Sequence, residues 1–242
     1  INAAPSSVPV AIISHGYGAS RKDFADIAQH FASYGLVVAL PEHIGSDTAL
    51  QQAVLKGEAS ETLIPREFVD RPLDVSFLLD ELERLNQSEW QERLNLQHVA
   101  MLGHSFGGYT ALVVGGATAD FANLHRHCDQ DSFLANLDPA LPFQCRALAL
   151  ESSPEIVQKL TQGLQDPRVS LVIAANPVSS TILGPQGLSK IQVPVVMIGS
   201  GYDVAAPFLP EQAYPFTWLT APEKYLILVK GGSHIPQLTA AI

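Results

Sequence analysis

The 242 residues are 47 % hydrophobic and 16 % charged with a net charge of −10, the composition of a folded acidic domain rather than a disordered chain. Such a charge repels nucleic-acid phosphates and anionic lipid surfaces, so neither is expected as a primary partner. No apolar run nears the roughly 20 residues needed to span a bilayer, so no transmembrane segment is expected.

Residues 8–14 (VPVAIIS) read as a first strand. Residues 22–34 place Phe24, Ile27, Ala28 and Phe31 at helical spacing, and Gly35 follows as a stop. A second strand over 36–40 (LVVAL) ends at Pro41, and 42–66 is polar and irregular. The segment 72–85 opens with Pro72 in its first turn and continues as an amphipathic helix. Residues 98–102 form a third strand and 106–116 another helix, and apolar runs at 169–175, 193–199 and 225–229 complete the set. These runs are continuous rather than alternating, which implies a parallel sheet covered on both faces by helices. The expected fold class is therefore α/β, in one domain without internal repeats.

The block at about 117–168 is too long for a direct helix-to-strand connection and reads as an inserted cap with a helix at 154–164. Its apolar residues Phe121, Leu124, Phe133, Leu134 and Leu137 either line an acyl or isoprenoid pocket or fill the core. It also holds Cys128 and Cys145, the two cysteines of the chain. A disulfide between them would close a short loop and stabilise it by roughly 3 kcal/mol; the alternative is a pair of buried thiols. An exported, oxidising location is favoured if the bond forms, and the cytoplasm otherwise. The chain begins at Ile1 without a basic-then-apolar leader and so reads as processed or trimmed.

Ligands of open α/β sheets bind beyond the carboxyl ends of the strands, so the residues that follow each strand carry the chemistry. Gly103-His104-Ser105-Phe106-Gly107 stands between a strand and a helix, where a G-x-S-x-G pattern builds a sharp turn presenting its serine. Asp203 and His234 follow two later strands, giving the order Ser, Asp, His. In that arrangement His234 takes the proton of Ser105, and Asp203 holds the imidazole tautomer. Asp47, Asp70 and Asp74 compete poorly as the acid because they precede the serine. An oxyanion would be held by the backbone N–H groups of Phe106 and of Tyr17 in the loop Ser14-His15-Gly16-Tyr17-Gly18. His15, His43, His104, Phe208 and Trp218 are candidate substrate contacts. His125 and Cys128 share a helix face without a matching ligand pair, and no G-x-G-x-x-G or P-loop follows a strand. Neither a metal nor a nucleotide cofactor is expected.

With SHGYGASRKDF, GHSFGG, the acid in GSGYD and the base in GGSH, the chain resembles the α/β-hydrolase superfamily from Val8 to Pro236. Within it these motifs look like the platelet-activating-factor acetylhydrolase and dienelactone-hydrolase-like group, related to lipases, cutinases and chlorophyllases. The resemblance implies Ser105, Asp203 and His234 as catalytic triad, Tyr17 and Phe106 as oxyanion hole, and no cofactor. It departs from the family pattern at both ends, where further strands and a helix after the histidine are usual. A serine rather than a cysteine in the elbow argues against dienelactone hydrolase chemistry in the strict sense. The expected activity is cofactor-free hydrolysis of a hydrophobic ester, of lipid, phytyl or polyester type. The rival is a catalytically silent hydrolase fold used for binding. Oligomeric state is not legible.

Overall fold

The computed structural model describes residues 7–61, 64–129 and 138–235. Six strands, β1 (Val8–Ser14), β2 (Val37–Ala39), β3 (Leu94–His104), β4 (Val169–Ala175), β5 (Val195–Ser200) and β6 (Lys224–Val229), form one sheet in the order β2-β1-β3-β4-β5-β6. Every pairing is parallel. The chain steps outward from β1 to β2, then returns to place β3 on the other side of β1. That reversal leaves a crevice between the carboxyl ends of β1 and β3, where Ser14 pairs in register with Gly103. The residues after β1 and after β3 therefore face each other across the crevice.

The helices are α1 (Ala25–Ser33), α2 (Thr48–Leu55), α3 (Ile64–Ser88), α4 (Phe106–Val114), α5 (Phe121–Cys128), α6 (Leu141–Cys145), α7 (Pro154–Gln162), α8 (Ser180–Leu188) and α9 (Tyr214–Trp218). One core joins Val10, Ile12, Met101, Val172 and Met197 of the sheet to Phe68, Leu79 and Leu112 of the helices. Two sequence expectations are corrected here. The stretch 42–66 is not all irregular, since Asp47 caps α2 by accepting from Leu50 N at 2.8 Å. Pro72 is not in a first turn but deep inside α3. A proline there leaves the carbonyl four residues back without its helical donor. The fully buried Tyr109 of α4 supplies the replacement: its hydroxyl donates to Phe68 O at 2.8 Å.

Within the described residues, Tyr225, Ile227, Leu228 and Val229 of β6 are 44–56 % exposed.

The block between α4 and β4 is packed onto the body of the domain. Leu124, Ala147, Leu150 and Leu160 belong to the main core, and Phe121 packs against it; Phe133, Leu134 and Leu137 lie outside the described residues. A disulfide joins Cys128 at the end of α5 to Cys145 at the end of α6. Closing a loop of this length restricts the unfolded chain. Reduction, or a Cys128→Ser/Cys145→Ser double variant, is therefore expected to lower unfolding stability by about 3 kcal/mol, read from urea titrations with and without dithiothreitol.

Candidate active site

Ser105 sits at the tip of the turn from β3 into α4 with φ 56° and ψ −119°. That left-handed φ is costly for a residue with a side chain, and the surroundings hold it there. Ser105 N donates to Ala175 O at 2.9 Å, and Ser105 O accepts from Gly108 N at 2.9 Å and Val178 N at 3.2 Å. The flanking glycines are required by close approach. A Cβ on Gly103 would strike the carbonyl of Gly107, and one on Gly107 would strike that of Ser14. The glycine spacing of G-x-S-x-G is thus a packing requirement of the turn.

The three side chains expected from the sequence come together. His234 Nε2 lies 2.9 Å from Ser105 Oγ, and His234 Nδ1 lies 2.8 Å from Asp203 Oδ2. The Asp203 side chain is fully buried and that of His234 is 22 % exposed. The second carboxylate oxygen of Asp203 accepts from Ala205 N at 2.9 Å and Ala206 N at 2.7 Å, which fixes the carboxylate plane. Beside Ser105, the loop after β1 comes close enough that a Cβ on Gly16 would lie 3.1 Å from Ser105 Cβ. The backbone N–H groups of Tyr17 and Phe106 donate to no acceptor among the described residues. Phe106 opens α4, whose dipole adds to the positive potential there.

Two profiles of similarity bear on this architecture. The family described as platelet-activating factor acetylhydrolase, isoform II, matches residues 2–70, which include the loop after β1 but not Ser105, Asp203 or His234. A crystal structure of dienelactone hydrolase from Anabaena variabilis superposes with a TM-score of 0.54 at 18 % identity, covering 97 % of this chain and 80 % of that one. The fold is that of an α/β-hydrolase. The likeness to the acetylhydrolase and dienelactone-hydrolase group thus holds in sequence over the first third of the chain and in fold over nearly all of it. No curated protein sequence gives a significant match.

Within this fold, the candidate substrate contacts occupy varied positions. His104 is buried, and its Nε2 donates to His234 O at 2.6 Å. Burial, and then the nearby His234, push its pKa down to about 4, so it acts as a neutral donor. His15 and His43 are fully buried and face protein partners rather than the crevice. His15 Nδ1 donates to Gly16 O at 2.8 Å, while its Nε2 accepts from His43 N at 3.0 Å. His43 bridges Ser14 Oγ at 2.9 Å and Asp74 Oδ2 at 2.8 Å. In this second Ser-His-Asp chain Ser14 is fully buried, while the Asp74 side chain is 47 % exposed. Burial, and then Arg71, keep His43 neutral. Phe208 lies against the backbone of Gly199, and Trp218 packs against the main core.

Several residues around the site were not singled out from the sequence. Asn176, in the left-handed region at φ 44° just after β4, donates from Nδ2 to His234 O at 3.2 Å and to Ser200 Oγ at 3.1 Å. An asparagine ending an apolar strand is a readable signal, because Asn tolerates that conformation. Glu61 accepts from the Tyr17 hydroxyl at 2.9 Å and pairs with Arg146 at 2.7 Å. Phe143 lies 5.5 Å from the Tyr17 ring. The disulfide-linked block therefore touches the loop after β1. Glu211, pushed up to about 8 by burial and by Asp138, accepts from Ser179 N at 2.8 Å and from Gln144 Nε2 at 2.7 Å. It ties the segment after Asp203 to α6 and to the start of α8. No spacing rule marks Glu61 or Glu211, whose partners are 44 and 67 positions away.

Proposed function

We propose that this chain is a serine ester hydrolase acting on hydrophobic esters, with Ser105, His234 and Asp203 as its triad. The observation that carries the reading is the unbroken hydrogen-bond chain Asp203–His234–Ser105, next to two backbone donors without acceptors among the described residues. Ser105 Oγ attacks the ester carbonyl while His234 Nε2 takes its proton. The carbonyl oxygen becomes an oxyanion between Tyr17 N–H and Phe106 N–H. Collapse expels the alcohol, which receives the proton from His234, and leaves an acyl group on Ser105. Water then attacks the acyl carbon with His234 as base. The acid departs and Ser105 regains its proton. Asp203 stabilises the imidazolium in both halves of the cycle.

The names of the matching family, an acetylhydrolase, and of the similar structure, a dienelactone hydrolase, point the same way. Both cysteines are joined in the disulfide, which leaves the serine as nucleophile. Exposed Tyr202, Val204 and Ile235 directly flank Asp203 and His234, and such a rim suits an apolar acyl or alcohol group. The block at 117–168 acts in this reading as a cap, through Phe143 and Arg146, over the oxyanion loop.

A fluorophosphonate probe tests the proposal. A mass increment on the peptide that contains Ser105, abolished by prior heat unfolding, is expected. An unlabelled native chain would leave the fold as a silent binding module.

A further inference from the structure

Arg71 is a cation with no solvent contact. It is wholly buried on α3, where its neighbours are Glu67 at 3.6 Å, Ser46, and the carbonyls of the loop after β1. Nη1 donates to His15 O at 2.6 Å, Nη2 to Gly16 O at 3.2 Å and Nε to Ser46 Oγ at 2.8 Å. The guanidinium also lies 4.5 Å from the centroid of the Phe106 ring. A buried charge is costly, and burial lowers this one to about 9 despite support from Glu67, Asp74 and Asp47. A structural brace between α3 and a loop does not require a full charge at that depth.

The peptide plane explains what the charge does. Gly16 C=O and Tyr17 N–H belong to the same planar trans unit, so they point in opposite directions. Gly16 O is held by three donors: His15 Nδ1 at 2.8 Å, Arg71 Nη2 at 3.2 Å and Ala19 N at 3.4 Å. Holding that oxygen aims the Tyr17 N–H away from α3. A cation on the carbonyl also draws electron density through the amide and strengthens the N–H as donor. We infer that Arg71 is a positioning residue of the oxyanion hole: by clamping the His15 and Gly16 carbonyls it orients and polarises the Tyr17 N–H while packing on Phe106. The inference rests on the esterase reading above and adds to it a residue that touches neither substrate nor triad.

Arg71→Lys keeps the charge but cannot reach both carbonyls and Ser46 in one planar fork. The test compares its kcat and KM for a p-nitrophenyl ester with its affinity for an alkylboronic acid, which forms a tetrahedral adduct on the serine. Expected are a kcat lowered about 10- to 100-fold, less than the loss on removing a donor outright, an unchanged KM, and boronate affinity reduced by the same factor. A residue that only supports the fold would lower the melting temperature and leave kcat per folded molecule and boronate affinity at wild-type values, and that result overturns the inference. If Arg71→Lys does not fold, Glu67→Gln loosens the same guanidinium. A boronate loss of about two- to fivefold with KM unchanged supports the clamp, and no change in boronate affinity overturns it. A wild-type protein that neither turns over the ester nor binds boronate instead refutes the esterase reading itself.

Discussion

Ser105→Ala is expected to lower kcat for a p-nitrophenyl ester by about 10⁶-fold, the scale seen when a triad nucleophile is removed. In the proposed mechanism Ser105 Oγ, 2.9 Å from His234 Nε2, is the nucleophilic atom, and alanine leaves the base with no proton to take. The residual rate comes from the remaining oxyanion donors and binding. Stability should change by less than about 1 kcal/mol, because alanine inherits the same strained backbone and loses one partly buried hydrogen bond. Purified variant and wild type are compared by initial rates and by thermal unfolding. Turnover by Ser105→Ala above one part in a hundred would mean that another group does the chemistry.

Asp203→Asn should cost about 10⁴-fold in kcat, and the reason can be read from the backbone. The oxygen that meets Ala205 N and Ala206 N must remain an acceptor, since both neighbours are donors. The asparagine carbonyl is thereby assigned to that side, and its NH₂ is turned toward His234 Nδ1. Nδ1 must then accept, the ring proton moves to Nε2, and the imidazole presents a donor to Ser105 instead of a base. The change reads in kcat, with fluorophosphonate labelling slowed in parallel. A loss under tenfold would show that the carboxylate does not set the tautomer.

Much of the framework was legible because it obeys local rules. The runs at 8–14 and 169–175 became strands with those limits, and the glycines around Ser105 announced the turn that needs them. The positions of Ser105, Asp203 and His234 just after three separate strands, in that order, marked three groups that the fold brings together. Pro72 misled because proline is a good opener of helices, and its compensation comes from Tyr109, 37 positions later in sequence. The α2 helix was hidden inside a polar stretch, although Asp47 stands as a cap before its helix-forming residues. His15 and His43 sit at strand ends, where substrate contacts occur, but their ring nitrogens complete an internal network that no one-dimensional pattern reveals. Arg71 was illegible for the same reason: nothing in the sequence of an amphipathic helix says that one arginine points inward.

Ser105 and His234 meet across 129 positions of chain, and His234 follows the outermost strand of the sheet. On the proposed mechanism, a polypeptide emerging from the ribosome can therefore complete β1, β3 and β4 and still be inert toward acyl groups. The proposed triad is complete only when the edge at β6 docks, so on that reading a nascent or half-assembled copy has no means of cleaving the molecules around it.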